Sequence, residues 1–145
     1  MMRKKVCWPK GELSMIIKFN EDGFIAEFPQ QQLNIHPSEA QKGFRPYQLL
    51  LSSVAGCSAI ILRQILDKMR LPYEDFDITA EAKRNPQRAN RVESIHLHFV
   101  IRGKNLQEKK VERALKLTRE NCPIVQSVQD SITITESYEL VDSVQ

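Results

Sequence analysis

Cysteine is scarce in this chain: of 145 residues three are cysteines, at positions 7, 57 and 122, with no CxxC and no dense spacing. That excludes the disulfide framework of a small secreted domain. An excess of one charge is lacking too. The formal net charge is +3, part of it carried by Arg3, Lys4 and Lys5, so nucleic acid is not an expected partner. The greasiest segment, Val54 to Leu62, contains Gly56, Cys57 and Ser58 and stops at Arg63. It falls short of the roughly 20 residues that cross a bilayer. The basic start, Met1 to Pro9, lacks the apolar stretch of a secretory signal. A cytoplasmic protein without a membrane partner is expected. No repeat or low-complexity tract divides the chain, and residues 1–145 read as a single domain.

The order of elements points to an α+β fold. Leu13 to Phe19 and Phe24 to Phe28 are apolar-rich and flank Asn20-Glu21-Asp22-Gly23, a hairpin signal. Pro29 stops the second strand, and a mostly polar loop is expected to about Gly43. From Pro46 to about Arg70 the helix breaker is Gly56 alone. Leu49, Leu50, Val54, Cys57, Ile60, Ile61, Ile65 and Leu66 fill one wide face, and small residues cover most of the rest. A helix of that kind is a buried one. At 25 residues it would run about 37 Å, more than one small domain covers, which implies a second subunit. After Pro72 the period drops to two, through Phe76, Ile78, Ala80 and Ala82, then through Ile95, Leu97, Phe99 and Ile101. Helical period returns from Leu106 to Glu120, a short helix follows from Ile124 to Gln129, and a strand from Ile132 to Leu140 ends the pattern.

Two cysteines sit in unusual places. Cys57 lies about three turns into the long helix among small residues. It reads either as a packed thiol, whose pKa burial raises, or as a thiol with room above it for a substrate. Cys122 precedes Pro123, a residue suited to the first position of a helix. If Cys122 is the N-cap, amide hydrogens favour its thiolate. If Asn121 is the cap, Cys122 merely packs. Cys7, beside Trp8, is assigned to packing.

The segment from Pro46 through Ala55-Gly56-Cys57-Ser58-Ala59 resembles the first-cysteine motif of the OsmC/Ohr family. Glu120-Asn121-Cys122-Pro123-Ile124 resembles its second motif. The similarity extends over about residues 3 to 141. It implies a two-lobed α+β fold in an intertwined homodimer, with long central helices in the core and active sites at the interface. It also implies reduction of organic hydroperoxides, with no cofactor. Cys57 matches the peroxide-attacking thiol and Cys122 the resolving thiol, and an external dithiol resets the pair. Members best known as hydroperoxide reductases carry a glutamate directly after the helix-opening proline, holding an arginine against the thiolate. This chain has Tyr47 and Gln48 there, and no arginine of the N-terminal strands aligns, although Arg3 is available. Arg45 is the substitute the resemblance offers.

Other chemistry is weaker. His96 and His98 share a strand face and could begin a metal site, but the alternation puts both on the polar side, where solvated side chains are expected. No nucleophile elbow supports a Ser/His hydrolase. Lys109, Lys110, Arg113, Lys116 and Arg119 alternate with Glu108, Glu112 and Glu120, as on a solvated helix. The competing reading is a non-catalytic dimer of the same fold that holds a small apolar ligand between subunits and keeps inert thiols.

Overall fold

The structure, a computed structural model, describes residues 15–143. Readings of Arg3, Cys7 and Trp8 lie outside them. Two compact units divide the chain, one ending at Leu49 and the other beginning at Leu50.

The first unit is an antiparallel meander of β1 (Ile16–Asn20), β2 (Gly23–Glu27) and β3 (Gln32–Ile35). The expected hairpin forms with Glu21-Asp22 at its tip and Asn20 paired to Gly23. Gly23 has φ of +138°, and a Cβ there would meet the Ile35 carbonyl at 2.7 Å, so the turn requires glycine. β3 corrects the expected polar loop. Its four residues have no apolar run of their own, and they become a strand by pairing Leu33 with Ala26 and Ile35 with Phe24. Helix α1 (Pro46–Lys68) starts with Pro46 at its first position. Gln48, three residues past Arg45, reaches back so that its Oε1 accepts the Arg45 amide at 2.9 Å, half of a capping box.

The second unit is built on β4 (Tyr73–Asn85), β5 (Arg91–Gly103) and β6 (Thr133–Asp142), in that order across the sheet. β4 and β5 are antiparallel, while β6 runs parallel to β5. A parallel neighbour needs a crossover, supplied by α2 (Glu108–Asn121) and α3 (Pro123–Val128). Ile95, Leu97, Phe99 and Ile101 of β5 have no solvent exposure, as the period of two requires. They meet Val54, Leu62 and Leu66 of α1, Val111 and Ala114 of α2, and Val125 of α3 in one core. Each such side chain contributes roughly 1.5–3 kcal/mol by leaving water.

α1 ends without a glycine. The Arg70 amide bonds the Asp67 carbonyl at 3.0 Å and the Leu71 amide bonds Leu66 at 3.1 Å, with Arg70 left-handed at φ of 53°. That pair of bonds is a Schellman closure. It buries Leu71 and turns the chain into β4.

The burial of α1 departs from the expected wide face. Val54, Ser58, Leu62 and Leu66, four residues apart, form the buried stripe. Cys57 is half-buried, Ile60 is 61% exposed, and nothing lies within 4 Å of a Cβ built on Gly56. Leu50, Leu51, Ala55, Ile61 and Ile65 beside that stripe are partly buried against the core, and Gly56 and Ile60 are the part of the apolar circumference left bare. The apolar stretch is also longer than Val54 to Leu62: α1 holds an 18-residue window of mean hydropathy 1.8, long and apolar enough to cross a membrane by length and composition.

Candidate functional site

Cys57 and Cys122 come together in the second unit. α1 carries Cys57 to the edge of its buried stripe, next to Ser58. Cys122 sits at the joint of two helices, closing α2 as its C-cap and opening α3 as its N-cap, with extended φ of −77° and ψ of 109°. Its amide bonds the Thr118 carbonyl at 2.9 Å. Pro123 then supplies the first position of α3 without an amide hydrogen.

The Cys122 thiol does not cap. Its side chain makes no bond to the α3 amides, contrary to the expectation that the helix start favours a Cys122 thiolate. The residue is wholly buried, and its Sγ lies 3.7 Å from Ser58 Oγ, which donates to it. Cys122, not Asn121, holds the N-cap position, since Asn121 is the last residue of α2 and its Nδ2 donates to the Leu117 carbonyl. The Ile124 backbone amide, near the head of α3, is the group that draws the Cys57 thiol pKa down. Cys122 is the neighbouring side chain that acts on Cys57, and both cysteines are free thiols.

The electrostatics of Cys57 are a contest. Burial pushes its pKa up and is the largest influence, the Ile124 amide pulls it down, and the Cys122 thiol pushes it up again. The balance stands above the ordinary thiol value. Among the described residues of this unit, Cys57 has a neighbouring thiol and one anion-stabilising amide but no cation acting on it.

Arg45 stands at the N-cap of α1, in the first unit. Eleven residues lie between it and Cys57 in the chain, and it is not among the groups that act on the Cys57 thiol. Its Nε is buried without a hydrogen-bond partner. The missed residues are Ser58 and Ile124. Ser58 follows Cys57 directly and was read as a small filler, and the Ile124 contribution is a backbone amide that no side-chain pattern announces.

Between α1 and α2 lies an open cavity of about 700 Å³. Ile61, Ile65, Met69 and Leu117 make its apolar walls, with Lys68 and Arg113 as cations. On the polar sheet face, His96 and His98 are half-buried rather than simply solvated, and both bond hydroxyls of β6. Among the described residues no group of three or more His, Cys, Asp or Glu side chains is assembled around a metal position.

A helix-borne thiol paired with a second thiol at an α2–α3 joint, over a mixed sheet, defines a two-cysteine α+β protein. The family model described as OsmC-like protein matches residues 39–137, which include both cysteines, and the chain belongs to that family. It is 30% identical over 111 residues to Protein YhfA of Escherichia coli strain K12, covering 76% of this chain and 83% of that one. An OsmC-like protein from Mycoplasma pneumoniae superposes with a TM-score of 0.80 at 20% identity, over 92% of this chain and 99% of that one. The organic hydroperoxide resistance protein OsmC of Legionella pneumophila gives 0.70 at 17% identity, over 90% and 99%. At such identities the structures share the fold.

Proposed function

We propose that this protein is a thiol peroxidase that reduces organic hydroperoxides, as a cytoplasmic homodimer whose residues 1–145 act as one domain. The observation that carries this reading is that Cys57 and Cys122 are neighbouring free thiols, with the Ile124 amide drawing the Cys57 thiol pKa down. The hydroperoxide resistance protein of Legionella, which shares the fold, supports the substrate class.

The Cys57 thiolate attacks the outer peroxide oxygen, the O–O bond breaks, and the alcohol leaves with a proton. Cys57 becomes a sulfenic acid. The Cys122 sulfur then attacks the Cys57 sulfur, expelling water and forming the disulfide. Ser58, donating to the Cys122 sulfur, supports the thiolate needed for that second step and the one released when an external dithiol reduces the disulfide. Ile124 supports charge on Cys57 in the first step. The remaining requirement is a cation against the desolvation of Cys57; Arg45, which does not act on Cys57 within its own chain, is the residue we assign to it across the homodimer.

Stopped-flow reduction of cumene hydroperoxide and hydrogen peroxide tests the proposal. The protein should consume cumene hydroperoxide faster than hydrogen peroxide and faster than free cysteine does, and Cys57→Ser should abolish the reaction. A wild-type rate no better than free cysteine would reject it. In that outcome the cavity between α1 and α2 favours the second reading, a dimer that binds an apolar ligand with its thiols inert.

A further inference from the structure

The polar face of the second sheet carries a cluster unconnected with the thiols. His96 and His98 stand two residues apart on β5, so both rings rise from one face. The core-facing row, Ile95, Leu97, Phe99 and Ile101, lies on the other. Register places Thr135 and Ser137 of β6 beside the histidines, and Glu81 and Thr79 of β4 across from them.

The hydrogen bonds converge. His96 Nε2 and His98 Nδ1 each lie 2.8 Å from the same atom, Ser137 Oγ. His96 Nδ1 lies 2.8 Å from Thr135 Oγ1. With Nδ1–H donating to Thr135, His96 presents the lone pair of Nε2 toward Ser137. This is the orientation that a hydrogen bond behind a metal-ligating imidazole imposes. Ser137 has one hydroxyl hydrogen, so without an ion one ring accepts it and the other donates an N–H to Ser137 Oγ. With an ion at that point His98 carries its proton on Nε2 and presents its Nδ1 lone pair.

We propose that His96 and His98 bind a divalent first-row transition ion at the point where their nitrogens converge, with Zn²⁺, Ni²⁺ and Cu²⁺ as the matching class. Imidazole nitrogen suits these ions, whereas Mg²⁺ and Ca²⁺ take oxygen ligands. Zinc-to-imidazole bonds are about 2.0–2.1 Å, so each ring moves inward by less than about 1 Å while Ser137 Oγ shifts aside or becomes an oxygen ligand. Glu81, exposed and paired with His96 across the ladder, lies on the same face, and among the described residues it does not form a three-ligand group with the two histidines.

The test is calorimetric titration of ZnCl₂ and NiCl₂ into the reduced full-length protein, alongside His96→Gln, His98→Gln, His36→Ala and Cys57→Ser. Glutamine keeps a hydrogen-bonding group beside Ser137 and removes the imidazole ligand. Expected are one equivalent bound at micromolar dissociation constant, at least tenfold weaker binding in either glutamine variant, and no change in His36→Ala or Cys57→Ser. No heat with the wild type, or affinity lost in Cys57→Ser and kept in the glutamine variants, would overturn the site. Should the glutamine variants fail to fold, NMR of the wild-type histidine rings decides. Zinc must shift the His96 and His98 signals and spare His36, and unshifted His96 and His98 signals reject the proposal.

Discussion

One backbone amide decides which sulfur is prepared for charge. The Ile124 N–H, at the opening of a helix, draws the pKa of Cys57 down against burial, while Cys122, nearer in sequence, turns into the core toward Ser58. The two thiols should therefore behave differently. Replacing Cys122 by Ser should leave the first turnover with cumene hydroperoxide within about threefold of wild type and stop the disulfide, so that the Cys57 sulfenic acid is trapped by dimedone. Mass spectrometry of the labelled peptide reads this directly. Absence of the adduct would remove Cys122 from the resolving role.

Burial holds the Cys57 thiol above its ordinary value, and the sign follows. The fold favours the protonated form, so the stabilisation from Cys57 is complete below the unfolded thiol pKa and is lost as pH climbs through the higher folded value. Urea midpoints should fall more steeply for wild type than for Cys57→Ser between pH 8 and 10, a range bracketing the unfolded thiol value of about 8.5. If Arg45 supplies the missing cation, Arg45→Ala should move the midpoint of Cys57 alkylation by iodoacetamide to higher pH and slow peroxide reduction about tenfold or more. An unmoved midpoint would assign activation to another group.

At the scale of elements, α1 has two unlike sides. Its buried stripe has the spacing that packs a helix on a sheet, and Leu62, with no exposure, is in the middle of it. Leu62→Ala should cost about 2–5 kcal/mol, measured by denaturant unfolding, since it removes transfer energy and leaves a cavity. The opposite side was legible as small and apolar but not as bare. Periodicity reports which residues are apolar, whereas exposure depends on what arrives to cover them, and β4–β5–β6 covers one stripe. The inward row of β5 was legible because its alternation continues for four residues. β3 was not, because Gln32, Leu33, Asn34 and Ile35 take strand form through their partners on β2.

At the scale of the whole molecule, the bare side of α1 is the reason to expect a second copy. Gly56, with open space above it, and Ile60, 61% exposed, lie four residues apart on that side. Light scattering at micromolar concentration should give a mass twice the 16.8 kDa of one chain. Gly56→Leu should shift it toward one chain while circular dichroism keeps its helix signal. A wild type found as a stable monomer would sink the homodimer.

The sequence by itself determined the α+β order, the long helix opened by Pro46, the inward row of β5 and the two cysteine motifs that mark the family. Each of these is written in local periodicity, turn chemistry or a short run of residues, so each survives without knowledge of the fold. Tertiary structure alone decided that β6 lies parallel to β5, that Ser58 serves Cys122, and that the α3 amide serves Cys57 rather than the residue capping the helix. Those outcomes join groups up to 67 residues apart, as Cys57 and Ile124 are. Their neighbourhood depends on how α1 and α3 meet over a shared core, which no local pattern encodes.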